Sequence, residues 1–483
     1  MSESERFRVY QRGITMLMVS AVHEVLGGRR IAVEYSINNR YICELRDHNI
    51  SCEDLGQIEA TMHKYVESNM PITLVRVTLK EAIQIAKHQG QTDKLRLLHY
   101  RNGSHVSLYK LGEYYDYLFG ELPEKTGVLS NFSLHKLDDK SFILMFEKQG
   151  ENQAPAALGK ISEVFSESSR WARILGVDTV GALNDKLCTL GLDSIIRTAE
   201  ALHEKKVANI ADKIAENEKR IVLIAGPSSS GKTTFANRLR IQLKAGGLQP
   251  HLISLDDYYK NRDELTPEPD GSINLERPDT IDVALVNKHL ESLLNGEEVE
   301  IPHFNFLTAK REYKGRVLRI SGNDVIIMEG IHGLNERISA NINPKDKFKI
   351  FISALTQLSI DNHNRIPTSD TRLLRRLVRD FKHRGASAER TLGMWGSVLA
   401  GESEYIFPFQ DEADSFFNSA LIYELCVLKQ YAMPLLYAIE ESSPHYTEAR
   451  RLLRFLDTFL GQPSEQVPPN SILREFIGGG WYW

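Results

Sequence analysis

The sequence lacks the features that mark a secreted, membrane-spanning or zinc-binding protein. Its cysteines form no CxxC pair and no zinc-like spacing: Cys43, Cys52, Cys188 and Cys426. We therefore expect reduced thiols. No apolar run approaches the ~20 residues that span a bilayer, and residues 1–6 are not a basic segment leading into an apolar one. These absences predict a cytoplasmic protein with no membrane partner.

An excess of charge of either sign is also lacking. The formal net charge is −5, with 42% hydrophobic and 25% charged residues, which excludes a largely disordered chain or a coiled-coil rod. Any anion that the protein binds has to meet a local basic site. A length of 483 residues exceeds the ~150-residue size of a typical domain, so we expect several domains.

Hydrophobic patterning divides the chain into an α+β region, residues 1–150, a helical linker, 151–219, an α/β region, 220–440, and a C-terminal helix and tail, 441–483. In the first region, Ser51 is placed to cap a helix predicted from Asp54 through Ser68. The α/β region contains four short apolar runs separated by helical segments, as buried parallel strands require. These runs are 221–225, 251–255, 324–328 and 348–352.

The first apolar run leads directly into a GxxxxGK[ST] phosphate loop. We assign ATP binding to this loop and the residue after it: Gly226, Pro227, Ser228, Ser229, Ser230, Gly231, Lys232, Thr233 and Thr234. Glycines let successive N–H groups converge on an anion, and the following helix adds its positive end. Lys232 is expected to reach the β- and γ-phosphates, and the Thr233 hydroxyl to bind Mg²⁺. The competing interpretation is a turn rich in Gly and Ser.

Two carboxylates follow later strands of the predicted sheet. Asp256 comes directly after the second strand and could accept a proton from a substrate hydroxyl, or else cap a turn. Glu329 follows the third strand at the Walker-B position, which predicts a role in holding Mg²⁺. A solvated acid at a strand end is the alternative for Glu329.

A stripe of arginines follows at helical spacing: Arg372, Arg375, Arg376 and Arg379. The pattern predicts a helix that packs through its apolar stripe, Leu373 to Phe381, and displays four guanidinium groups on the opposite face. Such a helix could be a solvated basic surface. In a net acidic chain it favours a lid that neutralises charge on a transferring phosphoryl group.

Taken in order, six motifs resemble uridine–cytidine kinase, within the uridine kinase and phosphoribulokinase superfamily. They span residues 226–234, 255–259, 274–279, 301–306, 328–331 and 370–380. The resemblance implies a P-loop NTPase fold and makes Asp256 the catalytic base. It makes Lys232, Arg372 and Arg375 catalytic through charge neutralisation.

The same resemblance implies a set of residues around a nucleoside substrate. It places Tyr259 against the nucleoside, Glu276 and Asp279 at the ribose hydroxyls, Phe304 and Phe306 in the nucleobase pocket, and Arg376 at the substrate. The sequence departs from the family at Phe304, where a Tyr is usual, and at Ala309, where a His often stands. These departures concern base recognition and leave the phosphoryl-transfer residues unchanged.

A second resemblance rests on the helix predicted near residues 51–68, the segments 72–85 and 106–116, and Pro123 and Thr126-Gly127 after them. On these residues, the region 1–148 resembles the second N-terminal domain of threonyl-tRNA synthetases, which edits mischarged tRNA. Those domains carry HxxxH on a helix and CxxxH further along the chain. Here the second pair falls on Leu118 and Leu122, and the first helix offers only His23. One imidazole cannot build a metal or hydrolytic site, so we expect the fold without the editing chemistry.

The sequence thus favours an ATP- and Mg²⁺-dependent kinase that acts on the 5′-hydroxyl of a nucleoside, with uridine or cytidine favoured. Two alternatives stay open: a kinase of another small alcohol, as phosphoribulokinases and pantothenate kinases are, and a nucleotide-regulated RNA-binding protein. No NKxD motif follows the loop, which disfavours a GTPase. RNA binding by the first region and homo-oligomer formation stay open, and we expect residues from 158 onward to retain activity alone.

We predict that Lys232→Ala abolishes phosphoryl transfer and leaves the fold intact, because Lys232 acts on phosphate oxygens from a loop shaped by glycines. Activity is measured as ADP release, and folding by circular dichroism. Turnover close to that of the unaltered protein would contradict the assignment of the loop.

Overall fold

The computed structural model describes residues 3–37, 40–146, 160–267, 274, 276–305, 308–356 and 358–482. The chain forms two compact units, and the boundaries between them do not follow the sequence in order. Unit 1 contains the described residues through Phe146, together with Ala172–Gly191 and residues 358–366. Unit 2 contains the rest, including Leu192–Thr356 and Pro367–Tyr482. The first residues of the predicted helical linker, 151–159, lie outside the described residues.

The N-terminal part of unit 1 is α+β, with two antiparallel sheets of order β1-β2-β7-β6 and β3-β4-β5. Its elements in chain order are α1 Glu3–Val25, β1 Ile31–Ile37, β2 Arg40–Leu45, α2 Cys52–Glu67, β3 Ile72–Thr78, α3 Leu79–His88, α4 Thr92–His99, β4 His105–Leu111, β5 Tyr114–Asp116, β6 Phe132–Lys136 and β7 Ser141–Phe146. Ser51 caps α2 in a capping box with Asp54, as the sequence predicts.

The region predicted as a helical linker is helical but is divided between the two units. Its helices are α5 Ile161–Leu175, α6 Val180–Leu190 and α7 Leu192–Glu216. Helix α6 belongs to unit 1 and α7 to unit 2. Val207, Ile210 and Ile214 are buried on one face of α7, which fits their helical spacing.

Unit 2 is built on a five-stranded parallel sheet of order β16-β15-β8-β14-β9. Its remaining elements are β8 Ile221–Ala225, α8 Lys232–Ala245, β9 Gln249–Ser254, α9 Val283–Leu294, β10 Val299–Glu300, β11 His303–Asn305, β12 Lys310–Glu312, β13 Val317–Leu318, β14 Asp324–Glu329, β15 Lys347–Ser353, α10 Thr368–Arg384, α11 Ala388–Tyr405, β16 Ser415–Asn418, α12 Glu424–Tyr437, α13 Tyr446–Leu456 and α14 Arg474–Ile477. The predicted α/β class and the four predicted strands are confirmed, and β16 is an additional edge strand.

Strand β8 lies inside this sheet and all five of its residues are buried. The carboxyl ends of parallel strands meet at one edge of a sheet, so the residues after β8, β9 and β14 come together there. Within the described ranges, no helix combines the length and apolar character needed to cross a bilayer. The four cysteines are free thiols.

A buried charge network in unit 1 holds residues 358–366, which lie far along the chain from its other members. Lys94 forms an ion pair with Asp116, and its Nζ lies 2.9 Å from His363 Nδ1. His363 Nδ1 lies 2.7 Å from Asp116 Oδ2, and Asn362 N–H donates to Asp93 at 2.7 Å. A chain that began at residue 158 would lack Lys94 and Asp116, and would leave this segment without those partners.

Electrostatics within the network favour charged Asp116. Burial by itself raises the pKa of Asp116, but Lys94 and His363 outweigh it and lower the pKa to about 2. For Asp361, burial dominates and raises the pKa despite Lys94. Lys94 and His363 together therefore offset the cost of burying charged Asp116, whereas Lys94 offsets that cost for Asp361 only in part.

We predict that Lys94→Met lowers the free energy of unfolding by about 3–5 kcal/mol, because it leaves buried Asp116 without its cation. Urea unfolding at neutral pH measures the loss. Lys110→Met is the matched control, since Lys110 lies 3.8 Å from an exposed Glu113 and should change stability by less than about 1 kcal/mol. Equal effects of the two substitutions would contradict the network's role.

Candidate active site

The phosphate loop connects β8 to α8, and two glycines fix its path. Gly231 precedes α8 with φ +86°, a left-handed conformation that side chains disfavour. Gly226 lies against the neighbouring strand, where a Cβ atom would come within 2.1 Å of the Ile352 carbonyl oxygen. Ser229 is also left-handed, at φ +59°. Alternating main-chain conformations of this kind form an anion-binding hollow.

Polar groups of the loop fit an oxyanion ligand. The buried hydroxyl oxygens of Ser229 and Ser230 have no hydrogen-bond partner among the described residues. The Nζ atom of Lys232 donates to the Gly226 and Pro227 carbonyls at 3.0 and 3.2 Å. Burial lowers the pKa of Lys232, while Glu329 and Asp256 act in the opposite direction.

The two predicted carboxylates lie together at the carboxyl edge of the sheet. Glu329 Oε1 accepts from the Thr233 and Ser254 hydroxyls, each at 3.4 Å. Burial and then Asp256 raise the pKa of Glu329, to about 7. Burial also raises the pKa of Asp256, and Lys232 opposes that rise. The acidic pair is thus only partly compensated by Lys232.

Hydroxyl and carboxylate oxygens are the donors that Mg²⁺ prefers, so Thr233 and Glu329 fit the predicted metal role. Among the residues the structure describes, no group of three or more His, Cys, Asp or Glu side chains could hold a metal ion. A Mg²⁺ ion held here would take its other oxygens from water and phosphate, as this ion commonly does.

The residues predicted to bind the nucleoside differ in burial and in their hydrogen-bond partners. Tyr259 and Phe304 are buried and their ring centroids lie 5.5 Å apart. The Glu276 carboxyl group has a pKa raised by burial and then by Glu402, and its Oε2 atom has no hydrogen-bond partner in the described structure. Asp279 instead lies 52% exposed in a salt bridge with Arg277. Phe306 lies outside the described residues.

The prediction of four displayed arginines on α10 is wrong. Both stripes of the helix are buried: Arg372, Arg375, Arg376 and Arg379 are at most 9% exposed. Phe381, assigned to the packed stripe, is 56% exposed. Since the arginine stripe faces protein instead of solvent, its charges need internal partners.

Those partners are loop carbonyls and buried carboxylates. Arg372 Nε donates to the Ser228 carbonyl at 2.9 Å and its guanidinium pairs with Glu402. Arg375 donates from all three nitrogens, to Glu424, to the Ser229 carbonyl and to Ser419. Arg376 Nη1 donates to the Ser228 hydroxyl at 2.8 Å. Their proposed action on a phosphoryl group stays a prediction.

Sequence reasoning missed three acidic residues and one histidine that lie at this site. Glu402 accepts from the Ser228 N–H at 2.8 Å, and Glu475 from the Thr234 N–H at 3.2 Å. Glu424 pairs with Arg375. These acids occur in segments without a motif, so only packing identifies them. His332 did carry a signal, because it follows Glu329 by three residues.

We predict that Glu329→Gln stabilises the protein at pH 8 by about 2–3 kcal/mol when no divalent cation is added. The folded-state pKa of Glu329, about 7, lies above its ordinary value of 4.5, so ionisation destabilises the fold as pH rises through 7. The gain should fade as pH falls and vanish below 4.5. Urea unfolding at pH 8 and below pH 4.5 measures this gain in stability, with exposed Glu113→Gln as the control. A gain that is independent of pH would contradict the assignment.

Comparison with known proteins places residues 221–422 in a described family, "Phosphoribulokinase / Uridine kinase family". Uridine kinase from Macrococcus caseolyticus is 32% identical over 195 residues, covering 40% of this chain and 85% of that protein. Uridine kinase from Lactobacillus johnsonii is 32% identical over 197 residues, covering 40% and 83%.

Among solved structures, D-glycerate 3-kinase from Cryptococcus neoformans shares 16% identity at a TM-score of 0.25, covering 56% of this chain and 87% of its own. A TM-score this low supports no inference about function. The sequence matches, by contrast, cover most of each relative, and the residues of the family match include the loop, Asp256 and Glu329. On these grounds, the chain belongs to the phosphoribulokinase and uridine kinase family through residues 221–422.

Proposed function

We propose that the protein transfers the γ-phosphoryl group of ATP to the 5′-hydroxyl of a nucleoside, with uridine or cytidine as the favoured acceptor. The observation that carries this proposal is the meeting of Lys232, Asp256 and Glu329 at one sheet edge. Uridine kinases are among the relatives that match 40% of the chain. The buried Tyr259–Phe304 pair supports an acceptor with a flat ring.

In the proposed reaction, Asp256 orients the acceptor hydroxyl and takes its proton as the oxygen attacks the γ-phosphorus. A desolvated carboxylate with a raised pKa is a stronger base than an exposed one. Lys232 neutralises charge on the phosphate oxygens. Mg²⁺, held by Thr233 and Glu329, supplies further charge neutralisation when bound.

Nucleotide binding has to accommodate the two carboxylates already bonded to the loop. Glu402 and Glu475 accept from the Ser228 and Thr234 amides, and a phosphate oxygen that used those amides would exchange places with them. The Ser229 and Ser230 hydroxyls, which have no partner in the described structure, are already available. The proposal therefore includes a small side-chain rearrangement on binding.

Phe304 and Ala309 support a second candidate, a kinase of another small alcohol. The uridine–cytidine kinase pattern has Tyr and His at these two positions. Phe304 therefore offers no hydroxyl group, and Ala309 no imidazole, to hydrogen-bond a nucleobase.

For unit 1, we propose a threonyl-tRNA-synthetase-like fold without hydrolysis. Leu118 and Leu122 pack in or against its hydrophobic core, which leaves those positions no metal ligand.

The test is a panel of nucleosides and other alcohols with ATP and Mg²⁺, read out as ADP release above the rate without acceptor. The proposal expects uridine or cytidine to give the largest kcat/KM, and the product to be the 5′-monophosphate. Transfer to a non-nucleoside alcohol, with none to nucleosides, would support the second candidate instead.

We predict that Asp256→Asn lowers kcat by about 10²–10⁴-fold with little change in ATP binding, because a positioned general base contributes that much. Steady-state kinetics and ATP titration measure the two effects. Asp257→Asn is the matched control: Asp257 accepts from the Phe304 N–H at 3.3 Å and lies 3.3 Å from His303. A larger loss of kcat in Asp257→Asn would assign the base to the other carboxylate.

A further inference from the structure

His332 is buried beside the proposed active site and is held rigidly. It lies in the turn after β14, where a Cβ atom at Gly330 would come within 2.6 Å of Leu255 Cβ, and one at Gly333 within 2.5 Å of the Ile224 carbonyl oxygen. The His332 carbonyl accepts from the Asn335 N–H at 2.9 Å. The side chain is 1% exposed. Close main-chain packing on both sides thus fixes where the imidazole lies.

The surroundings of His332 favour a neutral imidazole, and its hydrogen-bonding capacity is not filled by the protein. Burial lowers the pKa of His332 to about 4. A hydrogen-bonding interaction with the Glu276 main chain acts in the opposite direction, while Lys232 lowers the pKa further and Asp279 raises it. Neither ring nitrogen meets hydrogen-bond geometry with a described residue. A neutral imidazole offers one donor and one acceptor. Buried polar atoms are nearly always bonded in folded proteins. Since the Glu276 main chain interacts with the imidazole, one of the two ring nitrogens is left for a bound molecule.

Two carboxylate oxygens of the proposed active site also lack a hydrogen-bond partner. Glu276 Oε2 and Glu402 Oε2 are buried without hydrogen-bond partners in the described structure. Glu276 connects the three groups, since its main chain acts on His332 and its carboxyl group interacts with Glu402. A Cβ atom at Gly401 would lie 2.6 Å from Glu276 Cβ, which places the end of α11 against Glu276.

The chemistry of these atoms selects the kind of group that would satisfy them. Carboxylate oxygens accept hydrogen bonds, and a neutral imidazole both accepts and donates. A hydroxyl group can donate to a carboxylate and also bond to the imidazole. An ionised Glu276 would instead repel an anionic group, whereas Glu402 is already paired with Arg372. The three side chains therefore match a neutral molecule with adjacent hydroxyl groups.

We propose that His332 is a substrate-positioning residue that hydrogen-bonds a sugar hydroxyl of the acceptor, beside Glu276. The acceptor is accordingly a neutral vicinal diol such as a ribonucleoside, and acidic alcohols and sugar phosphates are disfavoured. This inference rests on the proposed kinase function and adds to it a residue and a substrate class.

The test compares His332→Phe with the unaltered protein on uridine, 2′-deoxyuridine and 3′-deoxyuridine. Phenylalanine keeps the ring and removes both nitrogens, so the KM for uridine should rise about tenfold, the effect of one buried hydrogen bond. The KM for ATP should stay within about twofold. On the deoxynucleoside that lacks the contacted hydroxyl, the two proteins should differ by less than about twofold, because the interaction is already absent.

His203→Phe is the matched control. His203 is also 1% exposed and lies in unit 2, but its Nε2 atom lies 3.2 Å from the Ala420 carbonyl oxygen. It should change the melting temperature without changing the KM for uridine. If His332→Phe does not fold, His332→Asn, which keeps a donor and an acceptor, replaces it and should retain part of the binding.

An unchanged KM in folded His332→Phe, or an equal loss on all three nucleosides, would overturn the role of His332 and leave the kinase proposal standing. Transfer by the unaltered protein to a different polyol, with none to nucleosides, would overturn the nucleoside proposal. In that case the same comparison on the polyol and its deoxy analogues decides the role of His332. Preferred transfer to an acidic alcohol would overturn the proposed substrate class.

Discussion

Buried guanidinium groups hold the main chain of the phosphate loop from outside, and the geometry of the site depends on them. A loop whose N–H groups converge on an anion turns its carbonyl groups outward. Here the Ser228 and Ser229 carbonyls accept from Arg372 and Arg375. Because these arginines are desolvated, they require Glu402 and Glu424 as counter-ions. The loop, α10, α11 and the start of α12 are thereby connected.

This arrangement separates the arginines that the sequence treats alike. Arg375 already donates from all three of its nitrogens to protein acceptors, so a phosphate contact would require it to release one. Arg376 contacts the loop through a side-chain hydroxyl, a weaker constraint. The same stripe therefore contains Arg375, whose hydrogen bonds hold the loop main chain, and Arg376, whose single loop contact a substrate could replace more easily.

A second set of buried charges lies in unit 1, where Lys94 and Asp116 hold residues 358–366. The chain leaves unit 2 after β15, contributes this short segment to unit 1, and returns to begin α10. The arginine helix is therefore preceded directly by a segment whose place depends on the N-terminal residues.

Local pattern determined the core of the fold. The apolar runs that became β8, β9, β14 and β15, the phosphate loop between β8 and α8, and the Ser51 cap each depend on neighbouring residues, and their chemistry is visible in the sequence. The shared location of Asp256 and Glu329 was also predictable from the sequence, since the carboxyl ends of parallel strands share one edge. Their proximity follows from topology alone.

Only tertiary structure decided which charges are buried and which residues partner them. The arginine spacing on α10 gives a stripe but not the surface that it faces, so the predicted exposure of the four guanidinium groups is wrong. Glu402, Glu424 and Glu475 reach the site from later segments, and hydrogen bonds between such distant residues depend on packing that no local pattern encodes. His332 shows the same limit: the sequence places it near Glu329, and only burial reveals that its hydrogen-bonding capacity is not filled by the protein.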